Sequence, residues 1–498
     1  MKLKASITLF LVLLIFSGSL VKIQAQNAFP RIEPDAKALD YYRLGAQSGY
    51  SWTELAEISL WASGDASLSG MDKIKTTVKD VNSAITSDLS EKEKADFILN
   101  YMHKNILKNY SLYQTRLDTL LSNGRYNCVS SAVFYTILCK SAGINTSGVM
   151  TKDHAFAMVH INGQNFDVET TNPYGFDPGN RKEFHDSSGK TTGFAYVPPQ
   201  NYRDRQTITQ IELVSLILNN RVGELERSNN FSASVPIAVD RAALLLGNSY
   251  KNTADVSKSD FLFTDPRKDI MDRLLNYGAS LLRSNKEEDG IRWAVFASSV
   301  YPDTNRWQEF FLAAVNNRLS RFVKEKKIQD ARVFLESQKS LISEADYNQF
   351  DMLIIDADLL NRINIFTTAA EGNDVLTAID QARANGKITE KRASELLTYS
   401  IQKIAASLCA PPGRDWRAAI RYLLDVIPKY GLGANKELEK SLRMYMDNLA
   451  ADYHNRFATE WNKKNYAEAE RILNEGLAEF PKDRQLLSDK QTISKQNR

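Results

Sequence analysis

The feature that most restricts the fold is a long succession of helical patterns in the C-terminal part of the chain. From about Ile208 to the last residue, apolar side chains recur at helical spacing. Helices with such apolar stripes bury them against one another, so we expect an all-α region here. Three segments of this region share a pattern, in which an aromatic residue or Ile is followed three positions later by a small residue; they are Asn465–Leu473, Asp415–Leu423 and Lys327–Leu335.

These segments resemble the second helix of a tetratricopeptide repeat. Ala469 and Pro481 fit the spacing of that family, and Tyr453 stands near its first-helix aromatic position. The last two segments begin at residues 415 and 465, farther apart than the roughly 34 residues of that repeat, so the array is expected to be irregular. A generic helical bundle with the same amphipathic pattern is the alternative. The resemblance implies a surface that docks a protein partner or presents a substrate.

The N-terminal part combines helices with a strand-rich stretch. Ser90 and Glu93 predict a capping box ahead of a helix over Glu91–Leu107. A strand pattern follows later, where the Asn162-Gly163 dipeptide separates two extended runs. Asn-Gly between extended runs is a strong hairpin signal, so we expect two antiparallel strands joined at this turn.

The turn fixes which residues of the two strands face each other. If Asn162 and Gly163 are the turn residues, Met158 opposes Asp167 and Phe156 opposes Glu169. His154 then opposes Thr171 on the same face, with Glu169 as its diagonal neighbour. Asp167 lies roughly 13 Å from Thr171 along the strand. Glu169 is therefore the first choice of a carboxylate to orient His154, and Asp167 is the second.

Cys128 is the candidate nucleophile. Asn127 is a good N-cap residue, which places Cys128 at the first position of a helix. The helix dipole and the free backbone N–H groups there favour a thiolate and can hold an oxyanion. A thiolate also needs a base that takes and returns its proton, and His154 at a strand end is the candidate. The alternative is a small buried Cys that opens a core helix.

The other Cys and His residues give no further site. Cys139 lies eleven residues after Cys128 on one helix, roughly 16 Å away and too far for a disulfide. Cys139 and Cys409 are interpreted as core residues. His154 and His160 are roughly 20 Å apart along a strand and cannot bind one ion, so neither a metal nor a cofactor is expected.

Three stretches together resemble the core of the transglutaminase-like cysteine-enzyme superfamily; they are Gly124–Gly143, His154–Phe156 and Phe166–Thr171. In that family a Cys opens a helix, a His opens the next strand, and an acid in an Asp-x-Thr motif ends the following strand. The resemblance assigns these roles to Cys128, His154 and Glu169. It implies an α+β papain/transglutaminase-like domain followed by an all-α tetratricopeptide-like helical repeat region.

The sequence departs from the family pattern at three points. The acid is Glu169 rather than Asp, and Phe156 stands where many members carry Trp. No upstream side-chain oxyanion donor is evident, although Asn127, Tyr126 or Tyr113 could serve. Some members of the superfamily are inactive, so these departures leave two alternatives: an enzyme, or a catalytically inactive scaffold that acts as a protein-interaction module.

The first residues are typical of a secretory signal. Lys2 and Lys4 precede a short apolar run from Ile7 to Phe16, with a cleavage point after Ala25. An uncleaved N-terminal anchor is the alternative. We therefore expect a signal peptide over residues 1–25, a transglutaminase-like domain over 27–204, a helical repeat region over 205–498, and a secreted or periplasmic bacterial protein. No membrane span is expected after cleavage.

Charge excludes one class of partner. The chain has 63 basic and 60 acidic residues, and removal of the signal with its three Lys brings the net charge near zero. This balance argues against a broad nucleic-acid-binding face.

These patterns together predict an exported thiol enzyme that acts on peptide or amide bonds of a protein or peptide. Hydrolysis is expected rather than transfer to an amine, because water is abundant outside the cell and no calcium-loop pattern is evident. A pure tetratricopeptide adaptor is a further alternative, but it leaves the Cys128 and His154 pattern unexplained.

Overall fold

A computed structural model describes residues 29–179, 181–192, 204–252, 265–410 and 415–496. The expected signal over residues 1–25 lies outside these ranges. Among the described residues, no helix combines the length and the apolar character needed to cross a bilayer. The chain forms two compact units, Met1–Ala314 and Val315–Arg498. The boundary expected between residues 204 and 205 stays a prediction.

Helices form most of the first unit. In the stretch before the sheet they are α1 (Ala36–Ser48), α2 (Trp52–Ser63), α3 (Met71–Ala84), α4 (Glu91–Asn105), α5 (Leu117–Asn123) and α6 (Cys128–Ser141). Those that follow are α7 (Lys182–Thr192), α8 (Gln210–Arg227), α9 (Phe231–Leu246), α10 (Pro266–Arg283) and α11 (Glu287–Ser298). The unit boundary falls within α12 (Thr304–Lys324). The capping box expected at Ser90 and Glu93 is confirmed.

The described residues of the first unit include six short strands: β1 (Asn109–Tyr110), β2 (Arg125–Tyr126), β3 (Asn145–Met150), β4 (Ala155–Ile161), β5 (Gln164–Val168) and β6 (Gln206–Ile208). Strands β1 and β2 pair in parallel with each other. The remaining four form an antiparallel sheet in the order β5-β4-β3-β6.

The predicted hairpin register is confirmed from Ile161–Gln164 to Ala157–Val168, but the expected pairs Phe156–Glu169 and His154–Thr171 lie beyond the observed pairing. Ile161 pairs with Gln164 and Met158 with Asp167. Asn162 and Gly163 have φ values of 50° and 77°, the left-handed backbone that a tight two-residue turn between twisted strands requires. The pairing ends at Val168, so His154 and Glu169 lie just beyond the ends of β4 and β5.

Helix α6 is the centre of the first unit. Every residue from Cys128 to Cys139 is buried. One side of the helix packs against β3 and β4, and α2, α4 and α8 also contact it. A helix that is apolar all round is stable only when it is surrounded, because any exposed side would leave apolar surface in water.

The predicted fold class is wrong. Helices account for 70% and strands for 6% of the described residues, so the protein is mostly α rather than an α+β papain/transglutaminase-like domain followed by tetratricopeptide-like repeats. The strand signals between residues 145 and 168 did identify a sheet. They did not show how small that sheet is relative to the helices that pack around α6.

The second unit consists of helices among the residues that the structure describes. They are α13 (Ile328–Ser337), α14 (Glu344–Ile365), α15 (Ala369–Ala384), α16 (Glu390–Leu408), α17 (Trp416–Lys429), α18 (Lys436–Asn462), α19 (Tyr466–Glu479) and α20 (Arg484–Gln496). Consecutive helices pack on one another. The three similar segments of the sequence form α13, α17 and α19, but the helices that follow them have different lengths, between 13 and 27 residues.

Candidate active site

Cys128 is the first residue of α6, as its N-cap predicted. The side chain of Asn127 accepts a hydrogen bond from the Ser130 N–H at 3.0 Å, and the Ser130 hydroxyl accepts one from the Asn127 N–H at 2.9 Å. This capping box satisfies the third amide of the helix and leaves the amide of Cys128 uncapped by Asn127. The thiol therefore lies where the partial positive charge of the helix is greatest.

His154 is held in place by a short turn before β4. The Thr151 N–H donates to the His154 carbonyl at 2.8 Å, and the His154 N–H donates to the Thr151 hydroxyl at 3.2 Å. The side chain of His154 is 11% exposed, and its ring interacts with the thiol of Cys128. The structure therefore brings the expected nucleophile and the expected base together.

Glu169 binds the far side of the imidazole. His154 Nε2 lies 2.6 Å from Glu169 Oε2. His154 Nδ1 is buried and forms no hydrogen bond with any described residue. Since Nε2 is occupied by the carboxylate, Nδ1 is the nitrogen that remains for proton exchange with the thiol.

The charges of the site stabilise one another. Burial lowers the pKa of His154, but the Glu169 carboxylate and the Cys128 thiol outweigh burial and hold that pKa well above its ordinary value. Burial likewise raises the pKa of Glu169, but the His154 imidazole and the hydroxyl and N–H of Thr171 bring it below its ordinary value. The geometry therefore favours an imidazolium and a carboxylate at neutral pH.

The segment that carries Glu169 is fixed by backbone contacts. The Glu169 N–H donates to the Gly175 carbonyl at 2.8 Å, and the Gly175 N–H donates to the Asn172 carbonyl at 3.0 Å. A Cβ atom on Gly175 would lie 2.0 Å from the Glu169 carbonyl oxygen, so only glycine fits this close approach. The turn thereby sets the direction in which the Glu169 side chain leaves the backbone.

Asp167, the second choice for the acid, is not brought to His154. Its carboxylate is paired with the guanidinium of Arg205, whose Nη1 lies 2.8 Å from Asp167 Oδ2. The same guanidinium lies over the ring of Phe156, with 5.2 Å between its central carbon and the ring centroid. Asp167 therefore ties β5 to the segment that precedes β6.

The three oxyanion candidates from the sequence have different surroundings. The Asn127 side chain is engaged at both ends, because it accepts from Ser130 and its amide donates to the Leu112 carbonyl at 3.2 Å. Tyr126 is buried, and burial together with the nearby Glu169 carboxylate raises its pKa to about 12. Tyr113 is 62% exposed.

Two residues of the site were missed from the sequence, His103 and Tyr110. The His103 imidazole donates from Nε2 to the carbonyl of Thr170 at 3.1 Å, beside Glu169. Burial lowers the pKa of His103 to about 4, so the ring is neutral at neutral pH. Tyr110 reaches the site through the β1–β2 pairing. Neither contact has a local sequence signal, because each joins segments that are distant in the chain.

The remaining candidates of the sequence have structural partners or are buried. His160 binds Asn165 Oδ1 through Nδ1 at 2.7 Å and Ser147 Oγ through Nε2 at 2.8 Å. Cys139 and Cys409 are free and buried. Within the described ranges, no cluster of three His, Cys, Asp or Glu side chains could hold a metal ion.

Comparison of the chain with protein-family models and with curated proteins finds no match. A thiol at a helix N-terminus, a base on the thiol side and a carboxylate behind the base are the groups needed for nucleophilic attack on a carbonyl carbon.

Proposed function

We propose that the protein is an exported thiol enzyme that hydrolyses amide or peptide bonds through Cys128, His154 and Glu169. The observation that carries this proposal is the 2.6 Å hydrogen bond between His154 Nε2 and Glu169 Oε2, in a ring that also interacts with the Cys128 thiol. A carboxylate behind the imidazole fixes the ring orientation and stabilises its protonated form.

The reaction would proceed through a thioester. The Cys128 sulfur forms a bond to the carbonyl carbon after its proton passes to His154, and the C=O electron pair moves to oxygen. When this pair returns, the C–N bond breaks and the leaving amine takes the proton from His154. Water then attacks the thioester, with His154 removing its proton and returning it to the sulfur. The products are a carboxylic acid, an amine and the original thiol.

The order of Cys128, His154 and Glu169 along the chain is similar to that in transglutaminase-like cysteine enzymes. This similarity supports acyl chemistry at the thiol, which can end in transfer to water or to an amine. We propose water as the acceptor, because an exported enzyme meets water in excess. The expected substrate is a protein or a peptide.

A catalytically inactive scaffold is the second candidate, and one observation favours it. Cys128 is only 8% exposed. Two surface cavities of the second unit, of about 600 and 810 Å³, offer alternative places for a partner. The first is lined by residues of α16 and α18, among them Thr398 and Gln402. If the protein is such a scaffold, the helical region docks a protein partner and Cys128 is a buried core residue without a catalytic role.

Labelling of the thiol by a peptide-based acylating probe at neutral pH separates the two candidates. An enzyme predicts that Cys128 reacts at least 100-fold faster than a model thiol, and that His154→Ala removes most of this advantage, since general-base assistance contributes roughly 10²–10⁴-fold. Cys139→Ser provides the control, because Cys139 is fully buried in the core. Equal rates for Cys128 and a model thiol would establish the scaffold reading.

A further inference from the structure

Tyr110 is anchored beside the nucleophile by a non-local strand pair. It pairs in parallel register with Tyr126, two residues before Cys128. The Ser111 N–H donates to the Tyr126 carbonyl at 2.8 Å, and the Lys108 N–H donates to the Gly124 carbonyl at 2.9 Å. These bonds fix the Tyr110 backbone on both sides relative to the start of α6.

The hydroxyl of Tyr110 is buried and has no hydrogen-bond partner among the described residues. Its ring lies edge-on to that of Tyr126, with centroids 5.8 Å apart and planes at 82°. A buried hydroxyl without a partner is unfavourable, and a ligand atom that accepts its hydrogen bond would remove this cost. An incoming acceptor atom would satisfy this hydroxyl.

The groups around the hydroxyl indicate what that acceptor is. Burial raises the pKa of Tyr110 above its ordinary value, and the nearby Cys128 and Glu169 side chains raise it further. The phenol therefore stays protonated and can donate. Its pairing with Tyr126 places Tyr110 beside the start of α6, near the oxygen on which negative charge would develop when the Cys128 sulfur attacks a carbonyl carbon.

We propose that the Tyr110 hydroxyl is the side-chain oxyanion donor of the site, acting together with the backbone N–H of Cys128. This inference rests on the proposed acyl chemistry at Cys128. As the sulfur bonds to the carbonyl carbon and the C=O electron pair moves to oxygen, Tyr110 donates to that oxygen without giving up its proton. When the C–N bond breaks, the pair returns and the hydrogen bond weakens.

The other tyrosines and Asn127 fit this role less well. The Asn127 side chain is already bound to Ser130 and Leu112. The Tyr113 ring is exposed and lies against Arg227, whose guanidinium carbon is 4.4 Å from the ring centroid. The pKa of Tyr126 is raised by burial and by the Glu169 carboxylate, whereas Cys128 is among the groups that affect Tyr110.

Two reactions of the same thiol test the proposal. Acylation by p-nitrophenyl acetate passes through a tetrahedral oxyanion, whereas alkylation by iodoacetamide displaces iodide and forms none. Tyr110→Phe should lower the acylation rate about 100-fold, as expected for loss of one oxyanion donor, and should change the alkylation rate by less than about twofold. Tyr113→Phe should leave both rates unchanged.

The other outcomes are distinct. Equal acylation by wild type and Tyr110→Phe would overturn the role of Tyr110, and a loss seen only in Tyr126→Phe would assign the donor to Tyr126. An equal fall of both rates in Tyr110→Phe would make Tyr110 a residue that positions the thiol. If wild-type Cys128 is alkylated but is acylated no faster than free cysteine, the proposed function fails and the inference fails with it.

Discussion

Thr171 donates its hydroxyl to Glu169 Oε1 at 2.6 Å, while Glu169 Oε2 binds the imidazole of His154 at the same distance. Each oxygen of the buried carboxylate thus has its own donor. Because the two contacts lie on opposite ends of the carboxylate, the group cannot rotate without losing both. Thr171 therefore acts on the imidazole through Glu169 and is a positioning residue.

Replacement of Glu169 by Gln should reduce the reactivity of Cys128. The amide keeps the shape of the side chain but loses the charge that raises the pKa of His154. We expect the rate of labelling by the peptide probe at neutral pH to fall by about 10- to 100-fold. Asp167→Asn is the matched control and should leave the rate within about twofold, because Asp167 pairs with Arg205. The reverse ranking would make Asp167 the acid.

Replacement of Thr171 by Val should weaken the site without changing its shape. The variant removes the hydroxyl that donates to Glu169 but keeps the backbone N–H, which lies 3.2 Å from Oε1. A hydrogen bond to a charged group is worth about 1.5–3 kcal/mol, but only part of this reaches the imidazole through Glu169, so we expect a several-fold lower labelling rate. Thr171→Ser should restore the wild-type rate. A rate in Thr171→Val equal to wild type would show that the hydroxyl does not act through Glu169.

His103 should make the protein less stable in mild acid. Its pKa is lowered from 6.5 to about 4 by burial, so the unfolded chain binds a proton between these values when the folded protein does not. The contribution of His103 to the free energy of unfolding is therefore fully present above pH 6.5. It decreases as the pH falls toward 4, by at most about 3 kcal/mol.

Urea unfolding between pH 4 and 7 checks this expectation. The difference between wild type and His103→Gln isolates the contribution of His103 from that of the carboxyl groups. The free energy of unfolding of the variant should depend less steeply on pH in this window. Parallel curves for the two proteins would contradict the assigned burial of the ring.

Replacement of Gly175 by Ala should disturb Glu169 from a distance in the sequence. The new Cβ atom would lie 2.0 Å from the Glu169 carbonyl oxygen, so the backbone on one side must move. We expect a loss of about 1–3 kcal/mol in the free energy of unfolding, together with slower labelling of Cys128. Gly433→Ala, where a Cβ atom meets nothing within 4 Å, provides the control.

The sequence predicted the local geometry of the site well. The Asn162-Gly163 turn fixes the hairpin register, and the alternation of side chains along each strand then decides which residues share a face. This reasoning chose Glu169 rather than Asp167 as the neighbour of His154, and Glu169 is the carboxylate that binds the ring. The capping signal at Asn127 depends only on neighbouring residues. Such short-range rules need no knowledge of the rest of the fold.

The fold class was mispredicted because it depends on long-range packing rather than on such short-range rules. The number of helices that cover a sheet depends on packing between distant segments, as when α2, α4 and α8 surround α6. Tyr110 was missed in the same way, because its place follows from a parallel pairing of two two-residue strands. No periodicity can be read from strands of that length.

The burial of α6 has a consequence for how the protein would change over time. The nucleophile is the end residue of the most enclosed helix of its unit, so a substitution that loosens the packing of that helix also shifts the sulfur. The stability of the fold and the reactivity of Cys128 then both depend on the packing of α6. Variants that loosen α6 would therefore lower the free energy of unfolding and the reactivity of Cys128 together.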